Sequence, residues 1–464
     1  MRSKSRSTPR RPSHGRPQAR HPLITLWSQW CAMAPRPALD RWLRGQLRNL
    51  NSEGQWTPAL ISRAMADALR YQQLACALED VYTGRAQLVW TEADWAEWDG
   101  QWAERRLSGF QAQTLWSWIE RRAGERWDFA RLQKDDQDRS RLLKQVAYQA
   151  EQSPLSALGL MWQGVRPQWL PLLQQRASAS RWDQEQLLHF IRQQNQLPPL
   201  WLRVNPLRRN PLAQPDDAQA LKDMLQNLRD GGINAAMEKG HLAARGGKGV
   251  DSSELYRSGQ LEIQDLASQQ IAAALNPQPG DKIWDACAGA GGKTLALAGP
   301  MNNKGALVAT DLHQYKLDEL KRRASRAGAH NVRTFVWNGT EALRLPQEIA
   351  RNGGFDKVLV DAPCSSAGTW RRNPDARWRF SDDDTADLNE LQLRLLSLAG
   401  ESVKAGGLLV YATCSWAVAE NEDLVARFLS NNPAFSVGEM RLLGLPQDDS
   451  DTMFVALLNK AEAN

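Results

Sequence analysis

The sequence lacks several features that would place it in a special class of protein. Its 464 residues contain no apolar run near the roughly 18 residues that cross a membrane. The five cysteines are an odd number without disulfide-like spacing, and neither a Cys-x-x-Cys motif nor a histidine cluster is present. We therefore expect a cytoplasmic protein of a reducing compartment, with no membrane span and no metal site.

Acidic residues are also in the minority. Lys and Arg number 58 against 52 Asp and Glu, so the net charge is +6, which suits an anionic partner such as nucleic acid. Residues 1–20 alone hold seven Lys or Arg and no acidic residue. We interpret residues 1–21 as a disordered basic tail. Contact with nucleic acid and an organelle transit segment are the alternatives.

The next part, residues 22–197, has helical periodicity and is predicted to be a helical N-terminal domain. Trp95, Trp98 and Trp102 recur there at helical spacing. Such a stripe is more typical of a helix core than of a surface that stacks on RNA. This part contains no recognisable catalytic constellation.

A second segment, residues 198–262, begins at the two prolines of a linker, Leu197-Pro198-Pro199. A strand is predicted near 201–205 and an amphipathic helix over 218–229. The segment therefore reads as a small α+β module.

From residue 263 to residue 464, strand and helix patterns alternate. This alternation predicts an α/β domain with a doubly wound parallel sheet of Rossmann-like order. Its strands are predicted at 283–286, 306–310, 332–336, 356–361 and 407–412, with a late strand near 453–458.

Two cysteines of this domain each follow an apolar run. Asp361-Ala362-Pro363-Cys364 ends one run and Thr413-Cys414 ends the other. Both runs predict buried parallel strands, so both thiols should lie at the carboxyl edge of the sheet, where open α/β sheets place their active sites. Two thiols and a carboxylate suit covalent chemistry on an electron-poor ring, in which one thiol attacks and the other helps to release the product.

A glycine-rich loop follows the first predicted strand of the domain. Residues 287–293, Cys-Ala-Gly-Ala-Gly-Gly-Lys, lead into an apolar helix from Leu295. Such a loop lets a ligand approach the backbone and the helix N-terminus closely. The context does not fit a Walker phosphate loop. Asp311 ends the next strand about 20 residues later, a position typical of ribose recognition.

Taken in order, these motifs resemble the RNA cytosine-5 methyltransferases of the Nol/Nop/Sun type. The resemblance covers roughly residues 200–460 and rests on Asp-x-Cys-Ala-x-x-Gly-Gly-Lys-Thr from Asp285, Asp-Ala-Pro-Cys-Ser from Asp361 and Ala-Thr-Cys-Ser from Ala412. By position, the helical N-terminal domain is similar to the NusB-type extension of bacterial small-subunit ribosomal RNA members. The resemblance also makes the α+β module an RNA-contacting one.

The resemblance implies methylation of cytosine C5 in RNA with S-adenosylmethionine as cofactor. We expect 16S ribosomal RNA as the substrate and a monomeric enzyme that needs no metal. Methylation of transfer RNA is the alternative activity. A non-catalytic RNA-binding factor for ribosome assembly is the alternative of another class.

The resemblance further assigns the catalytic residues. Cys414 is expected to attack C6, because the RNA family uses the Thr-Cys thiol as its nucleophile. Cys364 is expected to assist release, and Asp361 to bond the N3/N4 edge of cytosine. Arg371, Arg372 and Arg377 follow the first cysteine and are expected to contact RNA phosphates, with a solvated basic loop as the alternative reading.

The cofactor site is assigned in the same way. The backbone of the glycine loop is expected to hold the methionine end, Asp311 the ribose and Asn338 the adenine amino group. Asn338 and Ala290 depart from the family, which has Asp and Pro at these positions. The expected cofactor-binding residues are Cys287, Ala288, Gly289, Ala290, Gly291, Gly292, Lys293, Asp311, Asn338 and Asp361.

Overall fold

The computed structural model describes residues 21–48, 56–102, 112–129, 136–208, 217–247, 249–380 and 382–462. The predicted basic tail therefore lies outside the described residues, apart from residue 21. The chain forms two compact units, one of residues up to 89 with 100–145, and one of residues 90–99 with 146–464. None of the described helices is both long enough and apolar enough to cross a membrane.

The N-terminal part of the chain is helical, as its periodicity predicts. The longest helix begins after Thr57, whose side chain accepts a hydrogen bond from the Leu60 N–H and so caps the helix. Trp95, Trp98 and Trp102 are each buried, which confirms that the stripe belongs to a core. The helices are α1 (Pro22–Cys31), α2 (Leu39–Leu47), α3 (Pro58–Tyr82), α4 (Glu92–Trp102), α5 (Ala112–Ala123) and α6 (Asp136–Gln152).

Three further helices, α7 (Ala157–Trp162), α8 (Leu170–Ser180) and α9 (Gln184–Gln193), belong to the second unit. They share a hydrophobic core with the segments that follow Cys364 and Cys414. The ring of Trp169 lies 4.6 Å from that of Trp370, between centroids. The sequence pattern placed residues 157–193 in the helical N-terminal domain. In the structure they pack against the C-terminal domain, because their aromatic side chains are buried there.

The α+β module is present between residues 198 and 263. Its strands form an antiparallel sheet of order β2-β3-β1-β4, and one face is covered by a helix whose Leu228 shares a core with Leu202 and Leu242 of the strands. The pattern indicated only the first strand and the helix. The elements are β1 (Leu200–Val204), α10 (Asp217–Asp230), β2 (Ile233–Glu238), β3 (His241–Gly247), α11 (Glu254–Arg257) and β4 (Leu261–Ile263).

The C-terminal domain contains a seven-stranded sheet, and the predicted Rossmann-like architecture is confirmed. Its order is β10-β11-β9-β8-β5-β6-β7, and strands β9, β8, β5, β6 and β7 are parallel to one another. At one edge, β11 pairs antiparallel with β9, and β10 pairs antiparallel with β11. The sequence analysis did not predict β10, whose residues are mostly exposed. The strands are β5 (Lys282–Asp285), β6 (Ala306–Asp311), β7 (Val332–Val336), β8 (Phe355–Asp361), β9 (Val403–Thr413), β10 (Phe435–Leu443) and β11 (Met453–Lys460).

Helices cover both faces of this sheet. Successive strand residues such as Ile283 and Trp284 enter different cores, because side chains alternate across a strand. One core is shared with α12–α14 and the other with α15–α17. These helices are α12 (Leu266–Ala274), α13 (Gly292–Met301), α14 (Gln314–Ala327), α15 (Gln347–Arg351), α16 (Asp382–Glu401) and α17 (Glu422–Asn431).

The register between β8 and β9 determines which loops meet at the carboxyl edge. Asp361 pairs with Ala412 across the two parallel strands. Cys364 lies three residues beyond the first of these positions and Cys414 two beyond the second. The two cysteines therefore lie at the same level of the carboxyl edge, just past the ends of neighbouring strands.

Candidate active site at the carboxyl edge of the sheet

The two predicted catalytic thiols are in direct contact. The sulfur atoms of Cys364 and Cys414 lie 3.3 Å apart, within hydrogen-bond distance, and both cysteines are free and partly exposed. Ser366 Oγ lies 3.6 Å from the Cys414 sulfur. Ser366 itself adopts a left-handed backbone conformation, with φ of 58°. Such conformations are uncommon outside glycine and concentrate at functional sites.

The environment distinguishes the two thiols electrostatically. A hydrogen bond from Cys364 lowers the pKa of Cys414, with help from Ser366 and the ammonium of Lys293, against the opposing effects of burial and Asp361. The same hydrogen bond, together with burial, raises the pKa of Cys364. These opposite shifts favour Cys414, rather than Cys364, as the thiolate of the pair. Since the thiolate is the nucleophilic form, Cys414 is the better nucleophile.

Asp361 is held by an ion pair with Lys293 of the glycine loop. Lys293 Nζ donates to Asp361 Oδ2 at 2.7 Å, and the carboxylate remains 28 % exposed while the lysine is buried. Burial alone would lower the pKa of Lys293, but the attraction of Asp361 outweighs it and the pKa is raised. The ion pair links the β8 end to the glycine loop and leaves part of the carboxylate available to a ligand.

The glycine loop and Asp311 also lie together, as the sequence predicts for a nucleoside site. The Gly289 N–H donates to Asp311 Oδ2 at 3.1 Å. Gly289 and Gly291 have φ of 56° and 88°. A Cβ on Gly291 would lie 2.1 Å from the Leu320 side chain, whereas one on Gly289 or Gly292 would meet open space. The loop is thus shaped by its glycines and leaves room for a ligand above the backbone.

A buried carboxyl group lies beneath this loop. Asp285 Oδ2 accepts a hydrogen bond from Thr294 Oγ1 at 2.7 Å, while Oδ1 is buried without a partner. Burial, with the nearby charges of Asp361 and Asp311, raises the pKa of Asp285 to about 7. Burial and these carboxylates also raise the pKa of Cys287, so its thiol is neutral and unsuited to nucleophilic attack.

Asn338 is less closely tied to the site. It follows β7 with an exposed side chain, and its Oδ1 accepts hydrogen bonds from the N–H and hydroxyl of Thr340. The peptide next to it is connected to the site, because the Trp337 N–H donates to the carbonyl of Asp311. The expected adenine contact therefore stays a prediction.

Arg371 does not have the solvent-facing position expected for a phosphate contact. Its side chain is fully buried, and its guanidinium donates to the carbonyls of Gln196 and Ser450 at 2.8 and 2.9 Å and to the carboxylate of Asp449. These bonds join the segment after Cys364 to two distant parts of the chain.

The other two arginines are also engaged inside the protein. Arg377 is fully buried and donates to the carbonyls of Gly164 and Gln194. Arg372 pairs with Asp265 and Asp451 at 3.0 Å each. The buried positions of Arg371 and Arg377 do not fit the expected contact with RNA phosphate, whereas the Arg372 side chain is 27 % exposed and its contact stays a prediction.

The sequence analysis missed Glu420, a buried residue between the two cysteine loops. Its carboxylate accepts hydrogen bonds from Ser365 and Ser415, the residues that directly follow Cys364 and Cys414. An acidic residue six positions after the Thr-Cys pair was the available signal. An isolated glutamate in an unassigned loop is ordinarily a surface residue, so composition alone did not distinguish it.

The chain is similar to known proteins over much of its length. A family model described as 16S rRNA methyltransferase RsmB/F matches residues 272–459. Ribosomal RNA small subunit methyltransferase B of Serratia proteamaculans is 33 % identical over 308 residues, which cover 64 % of this chain and 66 % of that protein. The protein of the same name from Enterobacter sp. is 32 % identical over 306 residues, covering 64 % and 67 %.

Among solved structures, the crystal structure of PH0851 is similar with a TM-score of 0.66 and 24 % identity, covering 95 % of this chain and 98 % of that one. This likeness supports the fold. The first curated relatives are matched over about half to two thirds of their own length.

Proposed function

Because the chain belongs to the family of the RsmB/F 16S rRNA methyltransferases, we propose that it methylates C5 of cytosine in RNA with S-adenosylmethionine. The observation that carries the proposal is the pair of thiols, 3.3 Å apart at the end of two neighbouring parallel strands. The pKa of Cys414 is lowered and that of Cys364 is raised, so one thiol suits addition to a ring and the other suits donation of a hydrogen bond during release.

Cys414 would begin the reaction. Cytosine C5 is too weak a nucleophile to be methylated directly, whereas addition of a thiolate to C6 turns C5 into an enamine carbon. The lowered pKa of Cys414 supplies that thiolate. Asp361, partly exposed beside it, would hold the N3/N4 edge of the base and stabilise the adduct.

Cys364 would act at the end of the reaction. After C5 carries the methyl group, a general base such as water removes the C5 proton, the electrons of that bond form the C5=C6 double bond, and the bond between C6 and sulfur breaks to release Cys414 as a thiolate. Cys364 donates a hydrogen bond to that sulfur, so it stabilises the thiolate as it leaves.

The residues of the glycine loop fit the cofactor. When bound, S-adenosylmethionine supplies an electrophilic methyl group. Open space above Gly289 and Gly292 would accommodate its methionine end, and Asp311 would bond its ribose hydroxyls. The unpartnered oxygen of Asp285 and the carboxylate of Asp361 make the surroundings suitable for a cationic ligand.

We infer that the substrate is ribosomal RNA, since the curated relatives carry the name ribosomal RNA small subunit methyltransferase B. A base reaches the thiols only after leaving its stack, so an unpaired or locally opened RNA segment is expected. The helices α7–α9 behind the cysteine loops and the α+β module give this substrate a larger surface than the catalytic domain alone.

The test is transfer of a labelled methyl group to purified small-subunit ribosomal RNA and, in parallel, to transfer RNA, followed by bisulfite sequencing of the product. Methylated cytosine in the ribosomal RNA, absent with the Cys414→Ala variant, is the expected result. Methylation of transfer RNA alone would favour the alternative enzyme. Binding without methylation of either RNA would favour an assembly factor.

A further inference from the structure

Glu420 connects the two cysteine loops through one carboxylate. The Ser365 N–H donates to Oε1 at 2.8 Å, and the Ser365 hydroxyl donates to Oε2 at 2.5 Å. The Ser415 hydroxyl donates to the same Oε2. Glu420 is fully buried, and these hydrogen-bond donors are neutral groups. The residues next to both thiols are therefore bound to one fixed group.

The orientation of Glu420 is itself determined by its surroundings. Gln392 Nε2 donates both to Glu420 Oε1 at 3.1 Å and to the carbonyl of Pro363 at 2.8 Å. The hydroxyl of Tyr411 donates to the Glu420 carbonyl at 2.7 Å. A buried carboxylate with this many donors has little freedom to move, so it transmits its position to the loops it holds.

The Cys414 loop has a second support that does not involve Glu420. Thr413 Oγ1 donates to Asn421 Oδ1 at 2.6 Å, and Asn421 Nδ2 donates to the Ser415 carbonyl at 3.0 Å. The residue directly after Cys364 has a different support, since both its N–H and its hydroxyl bind Glu420. The specific contribution of Glu420 is thus the placement of Cys364 relative to Cys414.

We propose that Glu420 is a positioning residue that maintains the contact between the sulfur atoms of Cys364 and Cys414. The proposal rests on the proposed function for its role in catalysis. Its geometric part concerns the thiol pair alone, and that part is measurable without RNA.

The experiment compares wild type with Glu420→Gln. Gln replaces one acceptor oxygen with an NH₂ group, which cannot accept the serine hydroxyls, so the Cys364 loop is expected to shift. The rate of alkylation of Cys414 by iodoacetamide, followed by peptide mass spectrometry, should reach its midpoint at higher pH in the variant. The turnover number should fall by about 10- to 100-fold, as misplacement by about 1 Å does, while cofactor affinity stays within about twofold of the wild type.

The matched control is Glu422→Gln, two residues away. Among the described residues, the Glu422 carboxylate pairs with Arg176 and is not bonded to the residues that follow Cys364 and Cys414. This variant should keep the alkylation midpoint of the wild type. If Glu420→Gln does not fold, Ser365→Ala and Ser415→Ala each remove one hydrogen bond to the carboxylate and should each raise the midpoint.

An unchanged alkylation midpoint in folded Glu420→Gln, or in both serine variants, would overturn the proposal. A further expected sign is that Ser365→Ala adds no additional shift in the Glu420→Gln background, because both changes act through the same link. If the proposed function is wrong, the wild-type protein will methylate no RNA, but Glu420→Gln will still shift the alkylation midpoint of Cys414 relative to wild type.

Discussion

The sulfur atoms of Cys364 and Cys414 lie 3.3 Å apart although 50 residues separate them in the chain. This contact lowers the pKa of Cys414 and raises the pKa of Cys364. It also gives the two cysteines different expected phenotypes, although both lie at the same edge of the sheet.

Replacement of each catalytic thiol should produce a different defect. Cys414→Ala should abolish methyl transfer and leave no covalent RNA complex, because nothing adds to C6. Cys364→Ala should instead accumulate a complex that survives denaturation, because addition, although slower, still proceeds while release is slowed more. Gel migration after incubation with RNA and cofactor distinguishes the two. Cys76→Ala, which removes a buried thiol of the N-terminal helices, is the control. A trapped complex with Cys414→Ala would reverse the assignment.

The two thiols should become reactive at different pH values, because the hydrogen bond between them shifts their pKa values in opposite directions. The pKa of Cys414 is lowered from 9.0, so its thiolate is present above that lowered pKa and its alkylation should reach half-maximal rate below pH 9.0. Cys364, with its raised pKa, should react only at higher pH. In Cys364→Ala the donor is lost, and the midpoint of Cys414 should move upward. Equal midpoints for the two thiols in the wild type would contradict the assignment.

Asp311→Ala should weaken binding of S-adenosylmethionine by about 1–3 kcal/mol, or roughly 5- to 150-fold in Kd, because hydrogen bonds to a charged acceptor are lost. Calorimetry in the presence of a chelator measures this and also tests that no divalent ion is required. Asp318→Ala is the control, since Asp318 is exposed on α14. Equal affinity of wild type and Asp311→Ala would remove Asp311 from the cofactor site.

Arg371→Ala should destabilise the protein without a specific loss of phosphate contacts. It removes the Arg371 donor from the buried carbonyl of Ser450, at a cost of about 1–3 kcal/mol, and also removes the hydrogen bond to the carbonyl of Gln196. Denaturant unfolding should show this loss, whereas Arg322→Ala, at an exposed position of α14, should change stability little. If Arg371→Ala folds with normal stability and its RNA binding depends less on salt, that result would support the original expectation that Arg371 contacts phosphate.

Much of the catalytic domain was predictable because its signals are local. The alternation of apolar runs and helices identified most strands of the sheet, and the glycine loop and Asp311, which the sequence singled out, lie together in the structure. The edge strand β10 was missed because its residues are mostly exposed and carry no buried-strand pattern. Arg371 and Arg377 were misread for a related reason, since sequence shows a charge but not the partner that neutralises it.

The sequence by itself determined the order of the elements, the glycines that shape the loop and the presence of two thiols and a carboxylate at strand ends. Tertiary structure alone decided which atoms meet. The register of Asp361 opposite Ala412 brings the thiols into contact, and Glu420 binds the serine after each of them. Periodicity is a property of neighbouring residues, whereas hydrogen bonds between residues 50 or more positions apart depend on how the strands and loops pack, which local pattern does not specify.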